Sequence, residues 1–161
     1  SFVTFRVRPF LKNVRKRQVK RPRLFFLDTG LLCYLLRIRT AEQLQHHPLR
    51  GAIFETWVAS EIHKSIAHCG IMADVCFYRD QHGVEVDLIV ETPDATYLIE
   101  VKAGESYRTD MAKSLQLVES SIAPDRPTTR VVVYAGAERQ SRSDVLVLPW
   151  SELHAAPWLA P

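Results

Sequence analysis

Val84-Glu85-Val86-Asp87-Leu88-Ile89-Val90 and Tyr97-Leu98-Ile99-Glu100-Val101-Lys102 are the stretches that decide how this chain folds. Both are β-rich and apolar, and both carry charges inside the run. Between them Glu91-Thr92-Pro93-Asp94-Ala95 has the composition of a turn. A hairpin with Asp94 near its tip sets residues whose numbers sum to about 187 opposite each other. That register places Asp87 across from Glu100 and Glu85 across from Lys102, all on one face, because strand side chains alternate with period two. Two carboxylates held close repel, which favours a bound cation or a raised pKa. A divalent metal beside a lysine is a constellation suited to phosphodiester cleavage. The plainer alternative is a solvated cross-strand ion pair between Glu85 and Lys102, with Asp87 and Glu100 beside it.

A third acid favours the first reading. Residues 51–67, Gly-Ala-Ile-Phe-Glu-Thr-Trp-Val-Ala-Ser-Glu-Ile-His-Lys-Ser-Ile-Ala, have the periodicity of an amphipathic helix. Its apolar stripe runs through Ala52, Val58, Ala59, Ile62 and Ile66, and Glu55 falls within that stripe. Glu55 is therefore expected to face the sheet that carries Asp87 and Glu100, whereas Glu61 and Lys64 lie on the flank.

The series Gly51-x-x-x-Glu55, Phe77-Tyr78-Arg79, Glu85-Val86-Asp87 and Ile99-Glu100-Val101-Lys102 resembles the PD-(D/E)xK, or restriction-endonuclease-like, superfamily. More narrowly it resembles the C-terminal domain of a family of bacterial and archaeal AAA-type ATPases. Pro22-Arg-Leu-Phe-Phe-Leu-Asp-Thr-Gly-Leu-Leu32 is similar to the segment that leads, in that family, from a winged helix into the nuclease-like domain. The resemblance implies an α/β fold with a restriction-endonuclease-like mixed sheet flanked by helices. It also implies an N-terminal basic β-hairpin over 1–28, a winged-helix remnant, ahead of the nuclease-like domain over 29–161. Asp87 and Glu100 would be metal ligands for Mg²⁺ or Mn²⁺, Lys102 the catalytic lysine, and Glu55 the helix-borne acid that completes the site. The implied activity is metal-dependent hydrolysis of DNA phosphodiesters in the company of an AAA-type ATPase. The alternative is a catalytically silent nucleic-acid-binding, regulatory or protein-interaction domain of that ATPase.

At 161 residues, 47% hydrophobic and 24% charged, the chain has the size and composition of a single globular domain that needs no disulfides. Cys33, Cys69 and Cys76 are odd in number and lack CxxC spacing, which points to a reduced, cytoplasmic setting rather than a zinc site. No apolar run approaches the ~20 residues of a membrane span. The lack of an initiating Met and of a signal pattern suggests a piece of something longer. No P-loop pattern is present, and no Gly-x-Ser-x-Gly.

The net charge of +3 hides an uneven distribution. Arg6, Arg8, Lys12, Arg15, Lys16, Arg17, Lys20, Arg21 and Arg23 fall in one stretch that contains no acid, so the rest of the chain, with 12 basic groups (21 − 9) against 18 acids, is net acidic. Such a block suits nucleic-acid phosphates, with Arg15, Lys16 and Arg17 as the central contacts. Phe5, Val7 and Phe10 interleave with the charges as in an amphipathic strand. Arg79, ending a strand beside the site, suits either a phosphate or an ion pair with Glu85. Lys113 and Gln116 lie on the helix that follows Lys102. His63 and His68, five apart, do not share a helix face, and His82-Gly83 reads as a turn. Breakers and periodicity predict strands at 2–8, 23–27, 74–80, 84–91, 96–103, 130–134 and 145–148. Helices are predicted near 29–36, 40–46, 50–68 and 107–121.

Overall fold

A computed structural model of the chain describes residues 3–10, 21–122, 125–142 and 144–159. Arg15, Lys16 and Arg17 lie outside the described residues. The architecture is one eight-stranded mixed sheet covered by helices on both faces. The strands are β1 (Thr4–Pro9), β2 (Arg23–Phe26), β3 (Asp74–Arg79), β4 (Glu85–Glu91), β5 (Thr96–Lys102), β6 (Thr128–Tyr134), β7 (Gln140–Arg142) and β8 (Val145–Pro149). Their spatial order is β2-β1-β3-β4-β5-β6-β8-β7. The helices are α1 (Thr29–Leu35), α2 (Ala41–Gln45), α3 (Arg50–Cys69) and α4 (Lys113–Ile122).

The predicted hairpin register holds where the strands pair. Leu88 faces Ile99, Ile89 faces Leu98, Val90 faces Tyr97 and Glu91 faces Thr96. Beyond Leu88 and Ile99 that ladder stops, and on the other side of β4 the register shifts. Cys76 pairs with Ile89 but Tyr78 pairs with Val86, so β4 carries one extra residue around Asp87 and Leu88. Such a bulge breaks strict alternation. Val86 and Ile89 belong to the apolar core under α4, while Leu88 and Val90 belong to the core under α3. Period-two reasoning had set Glu85 across from Lys102; the structure instead gives Glu85 to Arg23 and Arg79, and Lys102 to Glu100.

Burial explains the two layers. Val58, Ala59 and Ile62 of α3 pack with Leu88, Ile99, Val101, Val131 and Val133, and the C-terminal Trp158 closes that core. Leu115, Val118 and Ile122 of α4 pack on the opposite face with Ile89, Leu98, Val132 and Val147. Ala52, expected in the apolar stripe of α3, is exposed. Gly70, at φ 64°, ends α3 in the left-handed conformation that costs glycine least. The segment predicted as one helix over 107–121 begins as a 3-10 turn, Thr109–Ala112, before α4. β7 was not predicted: it has only three residues, two of them exposed, and strand periodicity needs more positions than that. At the other edge, β1 pairs antiparallel with β2 and parallel with β3, which makes the N-terminal hairpin part of the sheet.

Candidate active site

The end of β5 positions the chemistry. Glu100 is 8% exposed. Its Oε1 accepts from the Lys102 ammonium at 2.5 Å, and its Oε2 accepts from the Ser114 hydroxyl of α4 at 3.1 Å. Asp87 lies in the bulge of β4, and its Oδ2 accepts from the backbone N–H of Val101 at 2.8 Å. A side chain thus takes a ladder donor that the interrupted β4–β5 pairing leaves without a strand partner. The two residues flanking Val101 in chemistry, Glu100 and Lys102, are locked to each other, and Asp87 pins the peptide between them.

Glu55 arrives from α3, on the sheet face opposite α4. It sits one residue after Phe54 on a helix anchored by the Ser60 hydroxyl, which donates to the Leu27 carbonyl at 3.0 Å. Arg23 Nη1 donates to Glu55 Oε1 at 3.1 Å. The other arm of that guanidinium pairs with Glu85, and its plane lies over the Phe77 ring at 4.4 Å. Arg79 Nε stands 3.6 Å from the second oxygen of Glu85. Arg79 is therefore engaged as an ion-pair partner, the structural role weighed for it above.

The acids sense one another. Burial is the main cause that pushes Glu55 up to about 7, with the charge of Asp87 adding and Arg23 opposing. Burial likewise raises Asp87, against the Val101 N–H bond and the charge of Lys102. Glu100 is raised by burial and then by Asp87, against Lys102 and Ser114. Burial alone would lower Lys102, but the bond and charge of Glu100 and the charge of Asp87 raise it above the usual lysine range. These three carboxyls repel one another, and the guanidinium of Arg23 and the ammonium of Lys102 offset part of that repulsion.

The donors present are oxygens, as Mg²⁺ and Mn²⁺ require, and Mg²⁺ commonly takes only one or two carboxylates and keeps its waters. Among the described residues no group of three or more His, Cys, Asp or Glu side chains is arranged to hold a metal. The carboxylate oxygens nearest the end of β5 are those of Asp87 and Glu100. Each carboxylate offers several lone-pair sites, so the bonds already made leave acceptor capacity.

Sequence reasoning missed Arg23 and Ser114 as members of this cluster. Ser114 lies between Lys113 and Gln116, the two α4 residues singled out above, and is the one that reaches Glu100. It also missed a cavity of about 400 Å³ between α1, α3 and Trp150. Phe54, Trp57 and Trp150 line it together with Ala135, whose N–H donates to the carbonyls of Lys102 and Gly104. Only the fold brings Trp150 to these helix aromatics, 5.4 Å from Trp57 in an edge-to-face contact.

The site is thus an acidic, lysine-bearing strand end on a mixed α/β sheet, and the family follows from comparison. The chain belongs to the domain family of unknown function DUF4143, whose model matches residues 50–153. A second domain of unknown function, DUF8612, matches residues 1–42. Two relatives are the uncharacterized proteins Mb2031c of Mycobacterium bovis and Rv2008c of Mycobacterium tuberculosis, each 29% identical over 147 residues, or 91% of this chain. The chain spans 31% of the length of these curated relatives. No solved structure matches it. Among the described residues no helix is long and apolar enough to cross a membrane.

Proposed function

We propose that this domain is a divalent-cation-dependent nuclease of restriction-endonuclease type that hydrolyses DNA phosphodiesters, working as part of a larger cytoplasmic AAA-type ATPase. The observation that carries this reading is the grouping of Asp87, Glu100 and Lys102 around Val101: two carboxyls with raised pKa, one accepting the Val101 N–H and the other bonded to the Lys102 ammonium. Asp87 and Glu100 would hold Mg²⁺ or Mn²⁺. The ion, when bound, supplies Lewis acidity toward a phosphate oxygen and acidifies a coordinated water. Lys102, oriented by Glu100, is placed to donate to phosphate oxygen as negative charge builds there. Glu55, with a pKa of about 7, is poised to accept a proton near neutral pH. In the overall step a water oxygen bonds to phosphorus, the bond to the leaving sugar oxygen breaks, and that oxygen takes up a proton.

A second reading, a silent binding or regulatory domain, is favoured by one observation: Arg23 and Lys102 already neutralise Glu55 and Glu100. Mn²⁺ titration by calorimetry together with nicking of supercoiled DNA separates the two. Saturable Mn²⁺ binding, with nicking that Lys102→Ala abolishes while Mn²⁺ binding is retained or tightened, supports the nuclease, because the lysine acts in the transition state and contributes nothing to holding the ion. Absence of Mn²⁺ binding at millimolar concentration would assign the site to the silent reading.

A further inference from the structure

Arg23 is an unusual neighbour for a cation site. It stands on β2, the outermost strand on that side of the sheet, yet its side chain is only 21% exposed and reaches back over Phe77 to two acids. One arm holds Glu55 at 3.1 Å and the other holds Glu85. Arginine alone among side chains can bridge two carboxylates with a rigid planar fork while stacking on an aromatic face. The contact also joins the two matched segments of the chain: Arg23 comes from residues 1–42, and both acids come from residues 50–153.

We propose that Arg23 is the resident counter-cation of the acidic cluster, so that the N-terminal hairpin, by holding Glu55, sets how tightly Asp87 and Glu100 take a divalent ion. This rests on the reading that those two acids bind a metal. A fixed guanidinium on Glu55 acts against an incoming dication in two ways. It repels the ion through partly dry protein, where charges are poorly screened, and it occupies an oxygen of Glu55, the helix-borne acid of the cluster.

Calorimetric Mn²⁺ titration of the wild type, Arg23→Gln and Arg23→Lys at one pH and salt concentration tests this. Arg23→Gln should bind Mn²⁺ at least about tenfold more tightly, and Arg23→Lys, which keeps the charge but cannot bridge both acids, about threefold more tightly. A purely structural role for Arg23 would loosen the site, so tightening is not produced by damage. If the wild type binds Mn²⁺ and neither variant gains affinity, the Arg23 proposal is wrong and the metal reading stands. If no variant binds Mn²⁺ at millimolar concentration, both fall. Should circular dichroism find Arg23→Gln unfolded, Arg23→Lys decides alone, and no gain in its affinity overturns the proposal.

Discussion

Asp87 does two jobs that a single substitution can separate. Its Oδ2 accepts the Val101 N–H, and its negative charge crowds Glu55 and Glu100. Asp87→Asn keeps an oxygen acceptor for Val101 and removes the charge. Mn²⁺ affinity should fall by about tenfold or more while the melting temperature holds or rises, since carboxylate repulsion is relieved. Glu100→Gln should weaken Mn²⁺ to a similar degree but leave Lys102 without its anionic partner, so its melting temperature should not rise. Calorimetry paired with thermal unfolding checks both variants, and equal Mn²⁺ affinity in all three proteins would remove Asp87 and Glu100 as ligands.

Glu55 makes the domain's stability depend on pH. Its folded pKa of about 7 lies above the ordinary 4.5, so between those values the folded state binds more protons than the unfolded one. Stability should therefore decline as pH rises from about 4.5 through 7, by at most about 3 kcal/mol from this group. Raised pKa values at Asp87 and Glu100 act in the same direction. Glu55→Gln should flatten the decline in urea midpoints measured from pH 5 to pH 8. A slope unchanged by that substitution would place the titrating group elsewhere.

Between elements, the loop after β6 and the loop after β5 are pressed together, and this holds the end of the Lys102 strand. A Cβ at Gly136 would lie 2.1 Å from the Tyr134 ring and 2.5 Å from the Glu105 carbonyl. That ring cannot simply swing away, because Tyr134 Oη donates to the Glu138 carbonyl at 2.7 Å and accepts from its N–H at 3.1 Å. Gly136→Ala should cost about 1–3 kcal/mol by forcing the two loops apart. The Ala135 N–H contact to the carbonyls of Lys102 and Gly104 should loosen with it. Faster hydrogen exchange at Ala135 in the variant is the corresponding readout; wild-type stability and exchange would contradict the close approach.

Across the whole chain, charge is segregated. The basic block begins in β1 and ends with Arg23 in β2, while the 18 acids are spread along the chain that follows, from Asp28 to Glu152. If the block neutralises DNA phosphates, the logarithm of affinity should fall linearly with that of salt concentration, by about 0.9 per phosphate contacted. Replacing Arg15, Lys16 and Arg17 together with Ala should reduce that slope and weaken binding to all sequences alike. Affinity indifferent to salt and to the triple substitution would exclude the block as a phosphate-binding surface.

Local chemistry was enough to recover most of the layout. Period-two runs with a Pro-Asp turn between them determined the β4–β5 register, and 3.6-residue spacing put Glu55 on the buried side of α3. Asp28 caps α1 in the same local way, its carboxylate accepting from Gly30 and Leu31 within one turn. These signals act over a few residues, so the linear order of residues carries them. What only the folded sheet decided lies between residues far apart in the chain. The bulge that interrupts alternation at Asp87 is imposed by pairing with β3. The bridge from Arg23 to Glu55 and Glu85 exists because β2 closes one edge of the sheet beneath α3, and the Ser114 bond to Glu100 exists because α4 covers the other face. Such contacts leave no period in the sequence, because burial and charge pairing reward proximity in space whatever the separation along the backbone.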